Sequence, residues 1–142
     1  MADNKNDDYP HPTFRVEAIC EIVESCGSFH SRQSEATLHR ALGPLPKYIL
    51  EFVKHRVRFI WKKKNHVAVL LASDSQKAYA IVLDTKLENV SMEVRVGILG
   101  LKIAEAYLLE EPSLKVTREE LATRWGVDVT VLKNEAIQGL TF

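Results

Sequence analysis

Apolar residues return along this chain in two rhythms, and the switch between them divides it into three parts. Up to about residue 56 they recur every three or four positions, as on a helix with one buried face. From Val57 to Leu83 the apolar residues alternate or run on without a break, which is the habit of strands. From Ser91 the helical rhythm resumes.

Taken in order, residues 1–12 are rich in Asp and Asn and closed by Pro10 and Pro12, so a disordered lead-in is expected, followed by a single domain over 13–142. Thr13 is placed to cap a helix over Phe14–Cys26, with Val16, Ile19, Val23 and Cys26 as its stripe and Gly27 ending it. A short polar helix over Ser34–Leu42 stops at Gly43-Pro44. Pro46 suits the first turn of a third helix, Lys47–Lys54, with Ile49, Leu50, Phe52 and Val53 inward. Val57, Phe59 and Trp61 then alternate with Arg56, Arg58 and Ile60. Lys62–Asn65 reads as a turn, Val67–Ala72 as a strand, Ser73–Lys77 as a second turn and Tyr79–Leu83 as a third strand. Two short connections predict two consecutive hairpins and antiparallel pairing. Ser91 caps the longest helix, which Pro112 forbids beyond about Glu111. Thr117-Arg118-Glu119-Glu120 is a capping box opening a helix to Trp125, ended by Gly126. Asp128 or Thr130 caps a last helix reaching about Gln138. The expected fold is α+β: a three-stranded, largely antiparallel sheet packed with helices in the order ααα-βββ-ααα.

Composition narrows the function classes. The 142 residues suffice for about one domain with a real core, and 46% hydrophobic with 27% charged residues is ordinary for a globular chain. A formal net charge of zero provides no global field to recruit nucleic acid or anionic lipid. Cys20 and Cys26 fall on roughly opposite faces of one helix, which predicts free thiols in a reducing compartment. With no apolar signal segment and no run of about 20 apolar residues, a cytoplasmic protein without membrane contact is expected.

The long helix, Ser91–Glu110, is apolar nearly all round. Val94, Ile98, Leu101 and Leu108 form one stripe, which Glu105 interrupts, and Gly97 and Gly100 point to a close approach by a neighbour. A carboxylate on such a stripe needs a partner or a raised pKa, and Lys102 lies three residues before it. The pair is either a half-buried ion pair or a polar relic of a cleft that once held an ion.

The run GILG-LKIAE-AYL, with EELATRWGVD at 119–128, resembles the ImmA/IrrE-like small zincin metallopeptidases over roughly Val57–Asp128. In that family a His-Glu-x-x-His helix follows a small sheet, and a downstream Glu completes a zinc site. Two histidines at i and i+4 suit zinc because they project from one helical face, with the Glu between them to activate water. Here the first ligand position is Leu101, the base position Lys102 and the second ligand position Glu105. The third ligand position falls near Thr117, beside Glu120 in the same capping box. The resemblance therefore implies a pseudoenzyme of zincin-like fold with no catalytic residue, no metal and no cofactor.

Two other constellations carry chemistry. The stretch REELATRWGVDVTVLKNEAI reads as a helix pair like a helix-turn-helix, with Arg124 and Lys133 as candidate DNA contacts. Its second helix carries only Lys133 against Glu135, poor for phosphate binding. Lys54, Arg56, Arg58, Lys62, Lys63 and Lys64 form a basic patch around Phe59 and Trp61. Either it is the charged rim of an edge strand or it meets an acidic partner or nucleic acid. The five histidines lack metal-ligand spacing, and there is no phosphate loop or nucleophile elbow. The expected function is protein–protein binding, with an extended peptide or protein as partner. The alternative is a DNA-binding regulator using residues 118–138.

Overall fold

The computed structural model describes residues 12–28, 32–61, 68–73 and 78–134, and the first helix in that set is α1 (Pro12–Cys26). Thr13 lies inside this helix, after the helical Pro12, and so does not cap it, contrary to expectation. α1 buries Ile19, Ile22 and Val23 and runs straight into β1 (Gly27–Ser28), a two-residue strand without the alternation that would announce it. Next come α2 (Arg32–Leu42) and α3 (Lys47–Arg56), with Pro46 at the N-cap of α3 just outside the helix. The buried face of α2 includes Ser34 and Thr37 beside Leu38, Ala41 and Leu42.

The three longer strands are β2 (Val57–Trp61), β3 (Ala68–Ser73) and β4 (Ala78–Leu83), and with β1 they form a mixed sheet in the order β1-β2-β4-β3. β3 and β4 pair antiparallel as expected, from Ala68 opposite Leu83 to Ser73 opposite Ala78. β2 departs from expectation: it pairs parallel to β4, Val57 opposite Tyr79 and Trp61 opposite Leu83, and parallel to β1 through Phe59 and Ile60. The expected largely antiparallel sheet and uninterrupted ααα-βββ-ααα order are corrected accordingly. Burial explains the rearrangement. β4 buries Tyr79, Ile81, Val82 and Leu83, whereas β3 leaves Leu71 and Ala72 exposed, so the centre of the sheet goes to β4. A short link does not force neighbours to pair. At about 3.3 Å per residue it readily spans one strand's width of about 10 Å, centre to centre across the gap. With β1 on one side and β4 on the other, β2 is no edge strand.

Residues paired directly across the ladders share a face. Val57, Phe59 and Trp61 of β2, with Tyr79, Ile81 and Leu83 of β4, turn toward the helices and are all buried. A 3-10 turn, Thr85–Asn89, then leads to the long helix; the buried Asp84 caps it by accepting the Lys86 N–H at 2.7 Å. α4 (Met92–Glu110) is capped by Ser91, whose Oγ accepts the Val94 N–H at 3.4 Å. α5 (Arg118–Arg124) is capped by Thr117, which accepts the Glu120 N–H at 3.1 Å, and α6 (Val131–Asn134) follows. Gly126 joins them with φ +87°, a value few residues other than glycine adopt. The expected turns at 62–65 and 74–77, the lead-in at 1–11 and the end of the last helix lie outside the described residues.

α4 is the element on which the others meet. It packs against α2, α3, α5, α6, β3 and β4, and buries residues on every side from Val94 to Ala106. The corner between α5 and α6 lies against its two glycines. A Cβ on Gly97 would come within 3.3 Å of the Asp128 carbonyl oxygen, and one on Gly100 within 2.7 Å of Val127 Cγ1. Val127 is stiff at χ1 and 4% exposed, so it has little room to yield. Gly100→Ala is therefore expected to lose stability. Overpacking costs about 1–3 kcal/mol, and better helix propensity returns about 1 kcal/mol. Denaturant unfolding should show a net loss of up to about 2 kcal/mol, largely relieved when the same change is made beside Val127→Ala.

Candidate functional site

The charges on α4 mark the candidate site. Lys102 is buried, 6% exposed, among the apolar residues of the helix. Its Nζ lies 3.4 Å from Glu105 Oε1, and Arg118 Nη1 donates to the same oxygen at 2.5 Å. One carboxylate thus serves two cations, one from its own helix and one from the start of α5. Arg118 Nε also lies 3.3 Å from Glu119 Oε2, on the exposed side of α5. Burial pushes the Lys102 ammonium below its usual pKa; Glu105 opposes that shift and Arg118 adds to it.

Of the positions singled out by the resemblance, the structure joins Lys102 and Glu105. Leu101 is 2% exposed and belongs to the core, while Thr117 and Glu120 are exposed and engaged with each other through the α5 cap. The residue that reaches Glu105 is Arg118, the neighbour of Thr117. Sequence reasoning missed it because no helical spacing links positions on two different helices. The donor set does not fit a zinc ion: it offers one carboxylate, already held by two cations, and an ammonium. Among the described residues no three His, Cys, Asp or Glu side chains are grouped as a metal would require.

The described part of the basic patch is largely paired. Lys54 forms an ion pair with Glu21, and Arg56 Nε lies 3.8 Å from Glu110 Oε2. Glu110 also accepts the Tyr79 hydroxyl at 2.9 Å, and burial followed by that bond raises the Tyr79 pKa. Arg58 is exposed, and Lys62, Lys63 and Lys64 lie outside the described residues. Phe59 and Trp61 face the core, so these aromatics are not offered to bases. Of the candidate DNA contacts, Arg124 is exposed and the side chain of Lys133 lies outside the described set; Glu119 and Glu120 are exposed on the same short helix as Arg124.

Two concavities open elsewhere. One, of about 280 Å³, lies between α1 and α3, where Glu17, Glu21 and Glu51 surround Lys54 and His55 over a floor of Ala18 and Leu50. The other, of about 210 Å³, runs between the start of α3 and α5. Pro46 and Tyr48 line it from α3, Tyr107 from α4, and Leu121, Arg124 and Trp125 from the α5 region. Its rings belong to a chain of edge contacts: Tyr48 to Tyr107 at 5.8 Å, Phe52 to Tyr107 at 5.2 Å and Tyr107 to Trp125 at 6.5 Å between centroids. Neither concavity includes Leu101, Lys102 or Glu105.

The Lys102 cluster makes a stability prediction. Below its folded pKa Lys102 is charged in both states, and its burial weakens the fold. Above the ordinary value of 10.5 it is neutral in both, and that penalty is gone. Between these values the unfolded chain holds more protons, so the contribution of Lys102 to stability rises with pH. Lys102→Met should abolish this rise and be neutral or stabilising at neutral pH, because Glu105 keeps Arg118. Glu105→Gln should instead destabilise by about 1–2 kcal/mol, tempered by the partial exposure of Glu105. Denaturant unfolding at neutral pH and near pH 10.5 reads both.

No family model matches the chain, and no curated protein or solved structure is significantly similar to it.

Proposed function

We propose that this chain is a non-catalytic protein of zincin-like build that works by holding another protein in extended form along its sheet. The observation that carries the reading is the Lys102–Glu105–Arg118 cluster, at the helix position where the resembled peptidases activate water. A buried ammonium cannot act there as their carboxylate base does, and Glu105 is shared between two cations. Hydrolysis has no apparatus at this place, so binding is the activity left to the surface around it.

The sheet offers the means. β3 is the outermost strand and pairs with β4 alone among the described residues. Its sequence, AVLLAS, has no charge and no proline, the devices that usually keep an edge from pairing. Leu71 is 56% exposed on it, and α4 packs against the same strand. An extended peptide adding to β3 would gain main-chain hydrogen bonds for affinity and alternate side-chain contacts, Leu71 among them, for selectivity. Because each added bond is a backbone bond, this mode tolerates varied partner sequences.

Peptides selected by display on the purified protein test the reading. They should slow amide hydrogen exchange across residues 68–73, remain uncleaved, and bind about tenfold more weakly to Leu71→Lys, which places a charge on the edge. Selected peptides that leave those amides unprotected, or that are cut, would sink it. Metal analysis is a second check. One tightly held zinc ion per chain would contradict the assignment of Lys102 and Glu105 to an ion cluster.

A further inference from the structure

The groove between the start of α3 and α5 has a composition that the strand-addition reading does not use. Three aromatic side chains line it at steep mutual angles, 61° for Tyr48 against Tyr107 and 69° for Tyr107 against Trp125. Tyr48 is 45% exposed and Leu114, from the loop before α5, 37% exposed, so large apolar groups stand at its rim. Its volume of about 210 Å³ is below the roughly 300–1,000 Å³ of pockets that enclose a drug-sized molecule. It suits one or two side chains of a longer ligand laid across it.

Charge narrows the ligand. Arg124 lines the groove, is exposed, and makes no hydrogen bond or ion pair among the described residues. The nearby Glu110 is taken up by Tyr79 and Arg56, and Glu111 stands beside Tyr107 with its N–H bonded to the Tyr107 carbonyl at 2.9 Å. The exposed guanidinium fork matches one carboxylate in bidentate geometry. A phosphate chain would bring several negative charges past Glu111, Glu119 and Glu120; a peptide needs to bring one.

We infer that this groove docks an extended, proline-containing peptide with its proline ring against Tyr48 and Tyr107 and an adjacent carboxylate on Arg124. Proline fits because its ring is compact, rigid and apolar and packs well on aromatic walls. A polyproline segment is also already extended, so docking orders little of it. Pro46 and Leu121 complete the apolar lining, and Leu114 closes the rim.

The test uses the full chain and fluorescein-labelled peptides read by anisotropy: a proline-rich peptide bearing one glutamate, the same peptide with glutamine in its place, and the same with lysine. A labelled oligothymidine serves as the competing class. The glutamate peptide should bind at micromolar to sub-millimolar concentration and at least about fivefold more tightly than the glutamine form. Arg124→Gln should abolish that difference, and Tyr48→Ala should weaken every peptide by about tenfold. Both residues are exposed, and unchanged unfolding curves would confirm intact folds. Leu71→Lys should leave this binding unaltered, which separates it from strand addition at β3. Equal binding of the charged and neutral peptides, indifference to Arg124→Gln, preference for oligothymidine, or no binding at millimolar peptide would each overturn the inference.

Discussion

Helix α4 has almost no side left for water, and this constraint arranges everything around it. A helix so apolar must be enclosed, and a small protein has few elements with which to do it. The sheet approaches through β3 and β4, α2 and α3 add further cover, and the α5–α6 corner closes over Gly97 and Gly100. The glycines leave room for the Val127 side chain and the Asp128 carbonyl, and Gly126, with φ +87°, turns the chain so that they come near. Removing the Cβ at two positions of α4 is therefore what makes room for the whole C-terminal corner.

The two carboxylates on the later part of α4 share a design. Glu105 accepts from Lys102 and Arg118, and Glu110 meets Tyr79 and Arg56. Each ties α4 to another part of the fold, α5 in one case and β4 with the end of α3 in the other. Glu110 stands in the last helical turn, where the helix dipole disfavours an anion, so its two partners offset an adverse position. Arg95 makes a third tie of this kind: it is 7% exposed and donates from Nη1 to the Glu88 carbonyl at 3.4 Å, joining α4 to the turn before it.

Much of this was legible in the residues one element at a time. The alternation of Val57, Phe59 and Trp61, the Ser91 and Thr117 caps and the turn at Gly126 all act within a few positions of themselves. The structure keeps each of them. What could not be read is what joins distant positions. The parallel pairing of β2 with β4 is decided by which strand buries most, not by the length of the links, and β1 follows directly on a helix with no alternation to announce it. In the candidate site the Lys102–Glu105 pair followed from helical spacing, while Arg118 entered from another helix. The aromatic groove was hidden for the same reason, since Tyr48, Tyr107 and Trp125 come from three separate stretches.

The order of the strands also has a bearing on how the chain comes together. β4 follows β3 in sequence but lies between β3 and β2 in space. β3 and β4 can close on each other locally, whereas Val57 must find Tyr79 across the whole hairpin. The topology implies that the hairpin zips first and that its insertion beside β2 is the later, slower event, since loop closure must precede those non-local contacts. Until then Phe59 and Trp61 have no β4 beside them, and the unfinished chain is stickier than the finished one. The longer that insertion takes, the longer those rings stay uncovered and open to other chains when the protein is made at high concentration.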